Sequence, residues 1–182
     1  MALKELGIFE IKSNKIVVSD PCYSIEFAVT EDEYVADEDL SLLLTPAKQG
    51  KWKATVYYSE DEVVTKLVAS HIETNKDSAW IELDKGIGVD AAQAGIFDST
   101  VYGKDEMITY EVKNTFDIDM DEEGLKFYVA CSDITAEDDQ AGIIIGGAVS
   151  VSGLGDGWYP VHIQRDESNQ IVGVLIDFYE EE

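Results

Sequence analysis

Tyr159-Pro160-Val161-His162-Ile163-Gln164, the run Asp166-Glu167-Ser168-Asn169, and then Val172, Val174, Ile176 and Phe178 at alternate positions decide the fold. Tyr159, Val161 and Ile163 alternate with Pro160, His162 and Gln164, the period of two that marks a half-buried strand. Four polar residues then turn the chain, and the return leg alternates again, so residues 159–178 predict an antiparallel hairpin. Working outward, Trp52, Ala54, Val56 and Tyr58 alternate with Lys51, Lys53 and Thr55, and predict a strand over 51–58. It pairs across Ser59-Glu60-Asp61 with the β-branched stretch 62–72. Further strands are expected at 126–131 and 142–151, and at 79–83 and 87–89 around a Lys85-Gly86 turn. Residues 7–11 and 15–19 read as an opening hairpin about Ser13-Asn14. Helix is scarce: residues 37–47, with Asp37 or Asp39 as N-cap and Pro46 near the end, and a single turn over 91–96. The expected fold is mainly β, a β-rich α+β chain. It is an antiparallel sandwich or open barrel of short strands with one or two short helices, in a single domain over residues 1–182.

The 182 residues include 38 Asp and Glu against 13 Lys and Arg, a net charge of −25. With 45% hydrophobic and 10% aromatic residues the chain can bury a core, which an acidic disordered tail cannot. Arg165 is the one arginine. Such a chain cannot neutralise a phosphate backbone, and an anionic membrane repels it, so direct nucleic-acid binding and membrane binding are excluded. Basic proteins and cations remain as partners. Met1 to Leu6 lack an apolar signal core and residues 142–149 are too short to span a bilayer, so a cytoplasmic protein is expected. Cys22 and Cys131 fit no metal or redox spacing and read as reduced thiols, with a single disulfide as the less favoured alternative.

Acidic residues are spread along the chain, but much of the excess lies in four groups: Glu31, Asp32, Glu33, Asp37, Glu38 and Asp39; Asp117, Asp119, Asp121, Glu122 and Glu123; Asp133, Glu137, Asp138 and Asp139; and residues 180–182. A solubilising surface usually mixes both signs, and few cations are interspersed here. Asp117, Asp119 and Asp121 alternate with Ile118 and Met120. On a strand they would stand about 6.6–6.8 Å apart, close to two phosphate steps of DNA. The same triplet matches the start of a calcium-binding EF-hand loop, but Glu122 and Tyr128 occupy the positions that need Gly and Glu, so that reading is rejected.

No catalytic motif survives, and no catalytic residue, metal or cofactor is assigned. Gly153-Leu154-Gly155-Asp156-Gly157 lacks the last glycine of a dinucleotide loop and reads as a tight turn that Asp156 caps through its own backbone. His71 and His162 fall inside predicted strands and read as structural. The polar run Asp90-Ala91-Ala92-Gln93-Ala94-Gly95-Ile96-Phe97-Asp98 gives an alternative: a small-ligand or metal-dependent site built from Asp90, Gln93, Asp98 and Asp156, provided the four converge. The simpler reading of the run is a turn capped by Asp90.

Three patches resemble an uncharacterised bacterial family, domain of unknown function 4241: Asp20-Pro21-Cys22, Val89 to Asp98, and Ser152 to Val161. That family usually has Gly where this chain has Ala92, and the resemblance implies continuity of fold and little chemistry. In size and acidity the chain is also similar to phage-encoded anti-CRISPR proteins, which block Cas9 by occupying surfaces meant for DNA. That likeness implies a non-enzymatic inhibitor of a basic nucleic-acid-binding protein such as Cas9, with the groups at 31–39 and 117–123 as the contact residues. An immunity-type partner for a toxin is the third reading.

Overall fold

A computed structural model describes residues 2–35, 38–74, 78–113 and 122–179. Its strands are β1 (Ala2–Ile11), β2 (Ile16–Ser19), β3 (Ala28–Val29), β4 (Ser41–Leu44), β5 (Gly50–Tyr58), β6 (Val64–His71), β7 (Ile81–Val89), β8 (Gln93–Asp98), β9 (Ala141–Ile144), β10 (Gly147–Val151), β11 (Gly157–Arg165) and β12 (Ile171–Asp177). The helix α1 spans Leu125–Thr135, and 3-10 turns lie at Ile25–Phe27 and Asp105–Met107. Two six-stranded sheets result, ordered β1-β5-β6-β12-β11-β7 and β3-β4-β2-β8-β10-β9. Their ladders are antiparallel except for β3 with β4. The sheets stay open, so the fold is a sandwich.

Period-two alternation builds the space between the sheets. Trp52, Ala54 and Val56 of β5, Leu67 and Ala69 of β6, and Val174 and Ile176 of β12 turn inward from the first sheet. They meet Ile16, Val18, Leu42, Leu44, Ala94 and Ile96 from the second. The second sheet is also covered on its other face. There Val17, Phe97 and Val149 pack against Phe127, Ala130 and Cys131 of α1 and against Val101, Tyr102 and Ile108. Phe97, Tyr102 and Phe127 form a ring cluster with centroids 4.9–5.6 Å apart. Covered on both faces, β2 and β8 bury every residue and so lack the alternation of a one-sided strand.

The hairpin β11–β12 and the pair β5–β6 stand where the sequence places them. Several local expectations are corrected. β1 and β2 are not a hairpin: β1 pairs with β5, while β2 pairs with β4 and β8, so the Ser13-Asn14 turn carries the chain from one sheet to the other. Within 37–47 the described part holds β4, not a helix, because Leu42 and Leu44 face the core with Ser41 and Leu43 on the opposite side. The 91–96 turn is replaced by β8. The strands expected at 79–83 and 87–89 are one strand, β7, and Gly86 is not a turn residue. It lies beneath Trp158, where a Cβ would come 2.4 Å from both the indole and Tyr159 O. Residues 142–151 are two strands, β9 and β10, joined through Gly146 at φ +70°.

The strand expected at 126–131 is the middle of α1. Its buried Phe127, Ala130 and Cys131 follow helical spacing and close the second sheet's outer face. Gly124 at the helix start offers no capping side chain. Asp105 supplies one from another segment, accepting the Gly124 and Phe127 N–H groups at 3.0 and 2.9 Å. A carboxylate at a helix N-terminus also opposes the positive end of the helix dipole.

Candidate functional site

At one end of the sandwich the residues that follow β2, those between β7 and β8, and those between β10 and β11 meet. Asp20 is fully buried there. One carboxylate oxygen accepts the Cys22 N–H at 2.9 Å, and the other accepts those of Asp90 and Ala91 at 2.9 and 2.7 Å. Burying a carboxylate is costly unless its lone pairs are filled, and three backbone donors fill them here. The Asp20 carbonyl takes the Tyr23 N–H at 3.1 Å. The Tyr102 hydroxyl lies 3.0 Å from that carbonyl and 2.6 Å from Tyr23 O, donating to one at a time.

From the opposite side Asp156 accepts the Ala92 N–H at 3.0 Å, while Ala92 O accepts the Ser152 N–H at 3.0 Å. Asp156 thus caps the 90–92 bend and not its own turn, which corrects the expectation for it. The glycine-rich segment 153–157 is a tight turn as expected, with Gly153 at φ +70° and Gly155 at φ +94°. A Cβ on Gly153 would strike Val64 O at 2.1 Å. Ala92 sits at φ +55°, a left-handed conformation that costs a residue with a Cβ about 1–2 kcal/mol. This explains why glycine suits that position better.

Asp90 accepts the Tyr23 hydroxyl, and Gln93 is buried with its amide between Ser132 Oγ at 3.0 Å and Thr135 Oγ1 at 3.3 Å. Of the four residues of the alternative site, Asp90, Gln93 and Asp156 therefore gather at this end, each in an intramolecular bond. Asp98 does not join them. It ends β8, roughly 16 Å from Gln93 at the rise of an extended strand. There it accepts the Lys12 and Thr100 N–H groups at 2.9 and 3.2 Å and the Ser13 hydroxyl at 2.6 Å, pinning the crossing from β1 to β2. Burial alone would raise the Asp98 carboxyl; the hydrogen bonds from Ser13, Lys12 and Thr100 outweigh it and hold it below its ordinary value.

The thiols here are poor nucleophiles. Partial loss of hydration first, then the neighbouring Asp20 carboxylate, pushes the Cys22 thiol far up, although the residue as a whole is exposed. Burial does the same to Cys131 in α1. A thiol kept protonated neither attacks nor binds metal readily, and both cysteines are free. Tyr23 is pushed up by burial and by its bond to Asp90. His71 accepts the Glu73 N–H on Nδ1 at 3.1 Å, so its Nε2 donates to Gln49 O at 3.0 Å. Among the described residues no three His, Cys, Asp or Glu side chains gather as a metal would need. No helix there is long and apolar enough to cross a membrane.

Of the acidic groups, Glu38 and Asp39 line a groove beside Tyr23. Asp32, Glu33 and Glu38 are exposed and Glu31 and Asp39 half-buried. Glu33 accepts the Thr30 hydroxyl at 2.8 Å, and Asp39 the Val35 N–H at 2.7 Å. Glu122 and Glu123 are exposed just before α1. Asp37, Asp117, Asp119, Asp121 and residues 180–182 lie outside the described residues. Sequence reasoning missed Asp20 as a site residue, along with Tyr23, Tyr102 and Ser132. The Asp20-Pro21-Cys22 patch was the available signal.

The three sequence patches thus converge into one structural unit, two carboxylates holding a bend at the end of a β-sandwich. A family model described as Protein of unknown function (DUF4241) matches residues 9–176. The chain belongs to that family. Comparison with curated proteins and with solved structures finds no match.

Proposed function

We propose that the protein is a non-enzymatic acidic inhibitor that docks on a basic nucleic-acid-processing protein and competes with nucleic acid for its surface. The observation that carries this reading is the net charge of −25, with four of the 13 cations already held in ion pairs. Lys53 pairs with Glu5 at 2.5 Å, Lys48 with Glu73 at 3.5 Å, Lys113 with Glu137 at 3.9 Å, and Lys4 with Asp139. Asp32, Glu33, Glu38, Glu122 and Glu123 are exposed to solvent, and charges of one sign there make a field that steers a basic partner and speeds its association. The thiols held protonated and the polar groups occupied in internal bonds agree with a binding role.

The test is retention of purified nucleic-acid-processing proteins on the immobilised chain across a salt series. Cas9, the partner that size and acidity suggest, is one arm, and a lysate with identification of what is captured is the other. Retention at low salt that fades as salt rises, with loss of nuclease activity, supports the reading. Failure to hold any DNA-binding protein at low salt removes it.

A further inference from the structure

Resting on that reading, we propose that the groove beside Tyr23 seats a lysine or arginine side chain of the basic partner. The groove holds about 250 Å³ and is lined by Tyr23, Phe27, Glu38, Asp39, Leu40 and Ser41. That is below the ~300–1,000 Å³ of sites for drug-sized molecules and suits a single long side chain. Phe27 is 60% exposed and Leu40 38% exposed, an apolar wall open to solvent in a strongly acidic chain. Such a wall covers the methylene stem of Lys or Arg, the aromatic faces attract its cationic head, and the Glu38 and Asp39 carboxylates supply the opposite charge.

Three of the six lining residues are held in place before any partner arrives. Tyr23 is fixed by its bonds to Asp90 and to the Asp20 carbonyl. Leu40 lies over Gly88, where an added Cβ would come within 2.5 Å of its side chain, and its carbonyl accepts the Gly88 N–H at 3.0 Å. The Ser41 hydroxyl is 2.7 Å from that of Ser19. Tyr23, Leu40 and Ser41 therefore need little further ordering on binding. The same acidic segment already holds one cation this way: the Lys85 ammonium stands 5.7 Å over the Tyr34 ring. The buried network around Asp20 then has a consequence for binding, since it sets the position of the groove wall.

A fluorescently labelled hexa-arginine peptide, followed by anisotropy at low ionic strength, is the probe. Phe27→Ala removes an exposed ring, leaves the charge unchanged, and should weaken binding about fivefold. Glu38→Lys should weaken it tenfold or more. Glu167→Lys makes the same charge change on an exposed residue of the β11–β12 turn, outside the acidic groups and the groove lining, and should alter binding less than twofold. Wild-type affinity in Phe27→Ala, or equal losses in Glu38→Lys and Glu167→Lys, would overturn the groove while leaving a diffuse acidic surface standing. If the wild-type chain binds neither the peptide nor any basic protein, the proposed function itself falls. Circular dichroism of each variant confirms that the fold is retained.

Discussion

Asp20→Asn is the sharpest perturbation of the buried network, because it keeps the shape and removes one acceptor. An amide presents a single oxygen. If that oxygen stays with the Asp90 and Ala91 N–H groups, the new NH₂ points at the Cys22 N–H, donor against donor. The orphaned N–H costs about 1–3 kcal/mol, and the two surviving bonds weaken from charge-assisted to neutral ones. The sum is about 2–4 kcal/mol. For a chain of 182 residues, at roughly 2–4 °C per kcal/mol, the midpoint of thermal unfolding should fall by about 5–15 °C. Asp156→Asn, which touches one exposed bond to Ala92, should lose about 1 kcal/mol or less. Urea unfolding gives the free energies, and native-state hydrogen exchange tells where the loss falls: the Cys22, Asp90 and Ala91 amides should lose protection first. An Asp20→Asn protein within about 0.5 kcal/mol of wild type, with those amides still protected, would refute the anchoring argument.

Asp98 should make stability acid-sensitive. Its carboxyl is held below the ordinary value in the fold, so its contribution is present above the unfolded value near ~3.9 and is lost as pH falls through the native one. The gap in unfolding free energy between wild type and Asp98→Asn should therefore narrow as pH drops from neutral to about 2, and a constant gap would contradict the assignment. Ala92→Gly should stabilise the protein by about 0.5–1 kcal/mol, the relief at φ +55° exceeding the entropy glycine adds to the unfolded chain. Calorimetry showing a lower midpoint would count against it. Cys22, though exposed, should react with iodoacetamide more slowly than a free thiol at pH 8, and Asp90→Asn should speed it, since both Asp20 and Asp90 oppose the thiolate. Cys131 should stay unlabelled until the protein unfolds.

The parts of the fold legible in the sequence are those where a single face is buried and the partner is near in the chain. β11–β12 and β5–β6 meet both conditions, and alternation with a polar turn suffices for them. The rest needs tertiary information. Lys126-Phe127-Tyr128-Val129-Ala130-Cys131 is aromatic and β-branched, so local preference favours a strand; it is helical because the second sheet needs a cover. β8 hides its period by being buried on both faces. The junction at Ser13-Asn14 has the chemistry of a hairpin turn, and only the Asp98 carboxylate, 85 residues away, shows that it is a crossing. The same distance in sequence hid the role of Asp20, whose donors at Asp90 and Ala91 lie 70 and 71 residues downstream.

The acidic residues also divide by side-chain length. Among the described residues, carboxylates that accept backbone N–H bonds are Asp20, Asp39, Asp98, Asp105, Asp133, Asp156, Asp166 and Asp177, with Glu123 alongside. Aspartate is short enough to reach the main chain without much loss of freedom, so it serves in bends and caps. Glutamate carries its charge further out. Reversing the charge of an anchoring aspartate would unfold a loop and lower binding for that reason alone. A test of the electrostatic reading must therefore fall on exposed glutamates such as Glu38 and Glu122, where the fold survives and a loss of binding reports the field itself.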